Sequence, residues 1–235
     1  MTPTLNEIAF NLIHVIRPRV ANSEVISIDN IKFDIKNVRA QLLRNELNKN
    51  RTVDSEIVQD LGCVELELID AAECCDVTAD CKILRSKLPL PSPVELHHAQ
   101  GITRVGPVNK TSRKYTQIPY ERVPYIFYNK FTKNEIYFFL MNNSNYLYVL
   151  THDFKHKVIT DLNVQGVWED PETIKTFKTC EGKPCYNDDL SFPVKAWMVP
   201  MIKQLVIEKY LGKEAVAALD NTGDFQDNPN VQKHQ

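Results

Sequence analysis

Residues 64–68 read Val-Glu-Leu-Glu-Leu, and here the apolar spacing of the chain changes from steps of three and four to strict alternation. Val64, Leu66 and Leu68 fall on one side of an extended strand and Glu65 and Glu67 on the other, which predicts a strand with one buried and one wet face. Towards the N-terminus the period is helical. Thr4 with Glu7 three residues on is a capping box, and Leu5, Ile8, Leu12, Val15 and Ile16 follow on one face. Pro18 disfavours helical geometry at Arg17 and ends that helix. Ser27 caps a second helix with a stripe of Ile28, Ile31, Ile35, Val38 and Leu42 and a polar face of Lys32, Lys36, Arg39 and Arg44. Two helices joined by a short loop predict an antiparallel pair.

Towards the C-terminus, further strands are predicted at residues 82–88, 102–105, 114–118, 125–128, 136–140, 146–150 and 157–167. Pro89, Pro91 and Pro93 force an extended loop after the first of these, and Asn142-Asn143-Ser144-Asn145 suits a turn. Residues 125–148 hold nine of the 21 aromatics, which favours a sheet core over a base-stacking platform. Asp170-Pro171-Glu172 opens a short helix near residues 170–178. Pro193 starts a C-terminal helix with Val194, Trp197, Met198, Met201, Ile202 and Leu205 on one side, kinked at Pro200 and terminated by Gly212. Residues 220–235 carry too few apolar side chains to order alone.

The fold class is therefore α+β, an N-terminal helical pair and C-terminal helices packed beside a mainly antiparallel sheet. Its parts are residues 1–50, 51–192, 193–219 and a disordered tail at 220–235.

The composition, 43% hydrophobic and 25% charged, is that of a soluble globular protein, and no apolar run is long enough to span a membrane. The first twenty residues do not form a signal peptide, because polar side chains interrupt them and no Lys or Arg leads them. A cytoplasmic start with all six cysteines reduced is expected. Net charge is only −2, but its distribution is uneven. Residues 52–81 hold nine acidic groups and no Lys or Arg, and residues 82–133 hold ten basic groups against two acidic. Such neighbours suggest two complementary surfaces, either between subunits or as adjacent strands neutralising each other within one. The candidate interface residues are Glu65, Glu67, Arg104, Lys110, Arg113 and Lys114.

No phosphate-binding glycine loop, His-Glu-x-x-His or Gly-x-Ser-x-Gly motif is present, so no catalytic and no cofactor-binding residue is assigned. Cys74, Cys75, Cys81, Cys180 and Cys185 raise a structural zinc or a disulfide as alternatives, but the spacings are not those of paired zinc ligands and reduced thiols are favoured. His152-Asp153 with His156 is read as a surface turn. The basic loop at residues 104–114 suits a solvated hairpin, a protein-docking loop or a contact to the DNA backbone.

Several stretches together resemble the structural ring proteins from the neck of crAss-like tailed phages. They are LNEIAFNLIHVIRPRV (5–20), IKFDIKNVRAQLLRNELNKNRTVD (31–54), QDLGC (59–63), ITRVGP (102–107), VQGVWEDP (164–171) and residues 197–211. The resemblance implies a virion protein without enzymatic activity or cofactor, assembled in the host cytoplasm into a head-to-tail connector. It implies copies of the chain in a ring, on the order of twelve, contacts with the portal protein or other neck or tail rings, packaged DNA passing through the channel, and no membrane partner. The alternative is a nucleic-acid-binding accessory protein using the 104–114 loop.

Overall fold

Thr4 starts the first helix as its capping box requires: its hydroxyl accepts from the Glu7 N–H at 3.2 Å while the Glu7 carboxylate accepts from the Thr4 N–H at 2.8 Å. This helix, α1 (Leu5–Ile16), buries Leu5, Ile8, Ala9, Leu12, Ile13 and Ile16. A computed structural model describes residues 2–20, 26–49, 53–70, 82–96, 101–126, 135–141, 144–151, 159–187 and 189–212. The chain divides into two units, Met1–Leu42 with Asp188–Gln235, and Leu43–Asn187.

In the first unit, Pro18 sits in a 3-10 turn, Arg17–Arg19, that closes α1. Helix α2 (Ile28–Lys49) opens with the Ser27 hydroxyl accepting from the Asn30 N–H at 3.1 Å. Helix α3 (Met198–Leu211) packs against α1. Ile31 and Ile35 are fully buried as expected, but Val38 is only half-buried. Arg39 takes the next buried position, which corrects its assignment to the polar face. Its Nε donates to the Pro193 carbonyl at 2.9 Å and its guanidinium lies over the Phe192 ring at 5.6 Å. Asp34, also buried, accepts from Lys209 Nζ and from the Tyr210 hydroxyl, tying α2 to α3. Burial and then the Asp34 carboxylate push the Tyr210 hydroxyl up to about 12.

Helix α3 begins at Met198 rather than Pro193, and Pro200 lies in its first turn, where a missing N–H costs no helical hydrogen bond. Gly212 ends it at φ 79°, its N–H donating to the Glu208 carbonyl at 3.0 Å.

The second unit is a sheet in the order β1-β8-β2-β3-β7-β6-β5, with β4 also paired to β8. Its strands are β1 (Gln59–Asp60), β2 (Val64–Asp70), β3 (Lys82–Ser86), β4 (Ile102–Gly106), β5 (Thr116–Gln117), β6 (Tyr137–Leu140), β7 (Leu147–Leu150) and β8 (Asp161–Gly166). Every pairing is antiparallel except β5 with β6. Alternation divides the side chains between two clusters. Leu66, Leu84, Phe138, Val149, Val164 and Trp168 share the larger one, and Ile83, Ile118, Tyr137, Phe139 and Tyr148 the smaller.

Helices at both ends of the chain and a mainly antiparallel sheet between them make the fold α+β. The strand expected at residues 125–128 does not begin at Tyr125, which ends a 3-10 helix, Tyr120–Tyr125, in which Pro124 has no N–H to give a ladder, and residues 127 and 128 lie outside the described residues. The turn after β6 closes with Asn145 at φ 54°, a conformation that asparagine tolerates well. Residues Cys74, Cys75, Cys81, Asn142, Asn143, His152, Asp153, His156 and 220–235 lie outside the described residues.

Candidate functional site

The two oppositely charged stretches of the sequence meet in one strand pair. β2 and β3 run antiparallel with Glu67 directly opposite Arg85 and Leu66 opposite Ser86. The same register brings Glu65 to Lys87, one residue past β3. Lys87 Nζ donates to Glu65 at 2.7 Å, and Arg85 Nε donates to Glu67 at 3.0 Å. Arg85 also lies over the Tyr146 ring at 4.8 Å. The Lys87 hydrogen bond holds the Glu65 carboxyl below its ordinary value, and reciprocally Glu65 raises Lys87. The Glu67 hydrogen bond raises Arg85 in the same way. The partly covered Arg85–Glu67 pair contributes about 0.2–1 kcal/mol.

The structure therefore joins Glu65 and Glu67 to basic groups of their own subunit, the internal alternative that the charge pattern leaves open. Arg85 and Lys87 are not among the residues that the charge blocks single out. A signal for them exists: in Lys-Ile-Leu-Arg-Ser-Lys the basic groups alternate at 85 and 87 just as the acidic ones do at 65 and 67.

Lys110 is placed by a third acid. Its ammonium is held by the Asp60 carboxylate, which also accepts from the Gly62 N–H at 2.8 Å, Asn163 at 2.6 Å and Gln165 at 3.1 Å. Burial alone pushes the Asp60 carboxyl up, but Lys110, the Gly62 N–H and Gln165 together hold it below its ordinary value. The loop after β4 is thus pinned to β1. Inside it, Asn109 accepts from the Thr111 N–H at 3.1 Å, and Arg104 Nη2 donates to the Ser112 carbonyl at 3.0 Å. The chain then returns along β4, the Tyr115 N–H donating to Val105. Arg113 and Lys114 stay exposed, and neither forms an ion pair with a described residue. The six candidates thus do not form one cluster. Glu65 and Glu67 belong to the β2–β3 ladder, Lys110 to the Asp60 network, and Arg104, Arg113 and Lys114 to one basic loop.

The cysteines depart from expectation. Cys63 and Cys180, 117 residues apart, form a disulfide, so the expected all-reduced state does not hold for this pair. The bond ties the turn before β2 to a hairpin in which the Thr179 N–H donates to Lys183 and the Cys185 N–H to Phe177. Gly62, at φ 68°, admits this close approach, because a Cβ there would lie 2.6 Å from the Lys178 carbonyl oxygen. Cys185 is a free thiol, pushed up to about 11 by burial first and by Asp60 second, which makes it a poor nucleophile and ligand. Among the described residues no group of three or more His, Cys, Asp or Glu is placed to hold a metal ion.

A second surface lies on the helical unit. The broad apolar side predicted for the C-terminal helix splits in two: Met198, Ile202 and Val206 are fully buried, while Trp197, Met201 and Leu205 are 48%, 41% and 39% exposed. On the same unit, Phe10, Ile13, His14, Arg17, Pro18 and Ile28 line a groove of about 320 Å³.

A family model described as phage tail ring protein 2 matches residues 7–227. Ring protein 2 of Bacteroides phage crAss001 is 26% identical over 194 residues, spanning 79% of this chain and 81% of that protein.

Proposed function

The chain belongs to the phage tail ring protein 2 family, and on that premise we propose that it is a non-enzymatic virion subunit that closes into a homo-oligomeric ring in the phage neck. In this reading the ring connects the portal to the tail, surrounds the passing DNA, and is assembled in the host cytoplasm before joining the particle. The observation that carries the reading is the family match from residue 7 to residue 227, which takes in both units. The geometry supports it at two places. An exposed apolar ridge on α3 and a basic loop with Arg113 and Lys114 exposed are surfaces that an assembly can use.

Cross-linking mass spectrometry on purified particles tests the placement. Links from this chain to the portal and to other neck or tail rings are expected. Its recovery from lysate but not from particles would overturn the reading. The second reading, a free nucleic-acid-binding protein, is favoured only by Arg113 and Lys114, and predicts duplex-DNA binding by a 27.1 kDa monomer.

A further inference from the structure

The chain leaves β4 and returns towards β5 with one hydrogen bond between the two runs, the Tyr115 N–H donating to the Val105 carbonyl at 2.7 Å. Beyond it they separate, because β4 pairs with β8 and β5 with β6. The gap is a cleft of about 350 Å³, lined by Thr103 and Arg104 from β4, by Lys114, Tyr115 and Thr116 from the returning run, and by Phe138. Two bases and no acid line it. The two bases approach one point: a Cβ on Gly106 would lie 3.4 Å from the Lys114 Cα and 3.6 Å from Arg104 Nη2. Arg104 is only partly engaged. Its Nη2 donates to the Ser112 carbonyl at 3.0 Å, while its Nε is buried and donates to no described residue. A buried donor without an acceptor carries the full cost of its lost hydration, and an anion in the cleft removes that cost. Lys114 is exposed and forms no ion pair with a described residue. Burial pushes the Tyr115 hydroxyl up from its ordinary value, so it stays a protonated donor at neutral pH.

We propose that this cleft is a phosphate site, in which Arg104 and Lys114 hold one phosphodiester group of the DNA backbone. The inference rests on the reading above in which DNA passes this subunit, and names the residues that touch it. A guanidinium, an ammonium and hydroxyl groups are the donors that hold phosphate oxygens in protein–DNA complexes. The surroundings favour DNA over a carboxylate from a protein partner. Arg113 is exposed just outside the cleft, and residues 82–133 carry ten basic groups against two acidic. A duplex, whose phosphates repeat along each strand, engages that excess at several points. A lone carboxylate fills the cleft and leaves the excess unmatched.

The test measures binding of the full chain to a short fluorescent DNA duplex by anisotropy at fixed salt. Arg104→Gln and Lys114→Gln should each weaken binding by about tenfold, the loss of one charge-assisted hydrogen bond. Arg113→Gln, outside the cleft, is the control and should weaken it by only about twofold. Inorganic phosphate should displace the duplex from the wild-type chain at lower ionic strength than chloride does, and should lose that advantage in Lys114→Gln. Arg104 also holds the Ser112 carbonyl, so if Arg104→Gln fails to fold, Lys114→Gln and the phosphate competition carry the test. Equal losses from all three variants, with phosphate no better than chloride, would mean diffuse attraction and overturn the site. Displacement by acetate in preference to phosphate would make it a carboxylate site and also overturn it. Phosphate binding without duplex binding would overturn DNA as the source of the phosphate. Native mass spectrometry of the same proteins separates this inference from the ring reading. Rings that bind no duplex would remove the cleft alone, and a wild-type monomer that binds duplex through Arg104 and Lys114 would remove the ring alone.

Discussion

Arg39 shows how far residue identity alone can mislead. Its spacing from Lys36 suggests a solvated face, yet it is fully buried between the Pro193 carbonyl and the Phe192 ring. A guanidinium can enter a core when carbonyls and aromatic faces receive it, and the carbonyl that does so here lies 154 residues away in the chain. Ile35 is legible, because an apolar residue in a clean stripe has no polar alternative to satisfy. Ile35→Ala should lower stability by about 2–5 kcal/mol in a denaturant titration; a loss below about half a kcal/mol would mean the site is not core. Asp60 makes a pH prediction. Its folded carboxyl lies below the ordinary value of 3.8, so its contribution is present above that value and disappears as pH falls through the folded one. Asp60→Asn should therefore be less stable than wild type at neutral pH, with the gap narrowing below about pH 4. A gap that stays constant with pH would place the Asp60 contribution elsewhere than in its charge.

Among the elements, those governed by local rules are the readable ones. The capping box of α1 and the Ser27 cap of α2 are each settled within a few residues and appear where expected, whereas the alternation of β2 holds for Val64 and Leu66 and ends at Leu68, which is 40% exposed. β1 and β5 are two residues long, too short for any periodicity to mark them. The 3-10 helix over Tyr120–Tyr125 is hidden by aromatic residues that favour strands, although Pro124 argues against a ladder. The pairing of β2 with β3 joins Glu65 to Lys87 and Glu67 to Arg85, so two acids and two bases of the charge blocks neutralise each other within one subunit. The Cys63–Cys180 bond is illegible in the sequence because spacing says nothing about partners 117 residues apart. Replacing Cys63 by serine should cost about 2–5 kcal/mol under non-reducing conditions. Peptide mapping of the unreduced, unfolded chain should find Cys185 alkylated and the 63 and 180 peptides joined. Alkylation of all three would contradict the bond.

For the whole molecule, the basic loop and the ring assembly make separable predictions. Changing Arg113 and Lys114 to Glu should leave the thermal midpoint nearly unchanged, since neither pairs with a described residue. The same change should weaken duplex-DNA binding and reduce its salt dependence by about 0.9 in log–log slope for each phosphate no longer neutralised. An unaltered DNA affinity would assign the loop to protein contact or to solvent. The ring reading depends on assembly of identical subunits, and native mass spectrometry of the wild-type chain over a concentration series decides that point. A ring-forming subunit should give a discrete species at one integral multiple of 27.1 kDa, populated in preference to dimers and trimers as concentration rises. A single 27.1 kDa species at every concentration would refute ring formation.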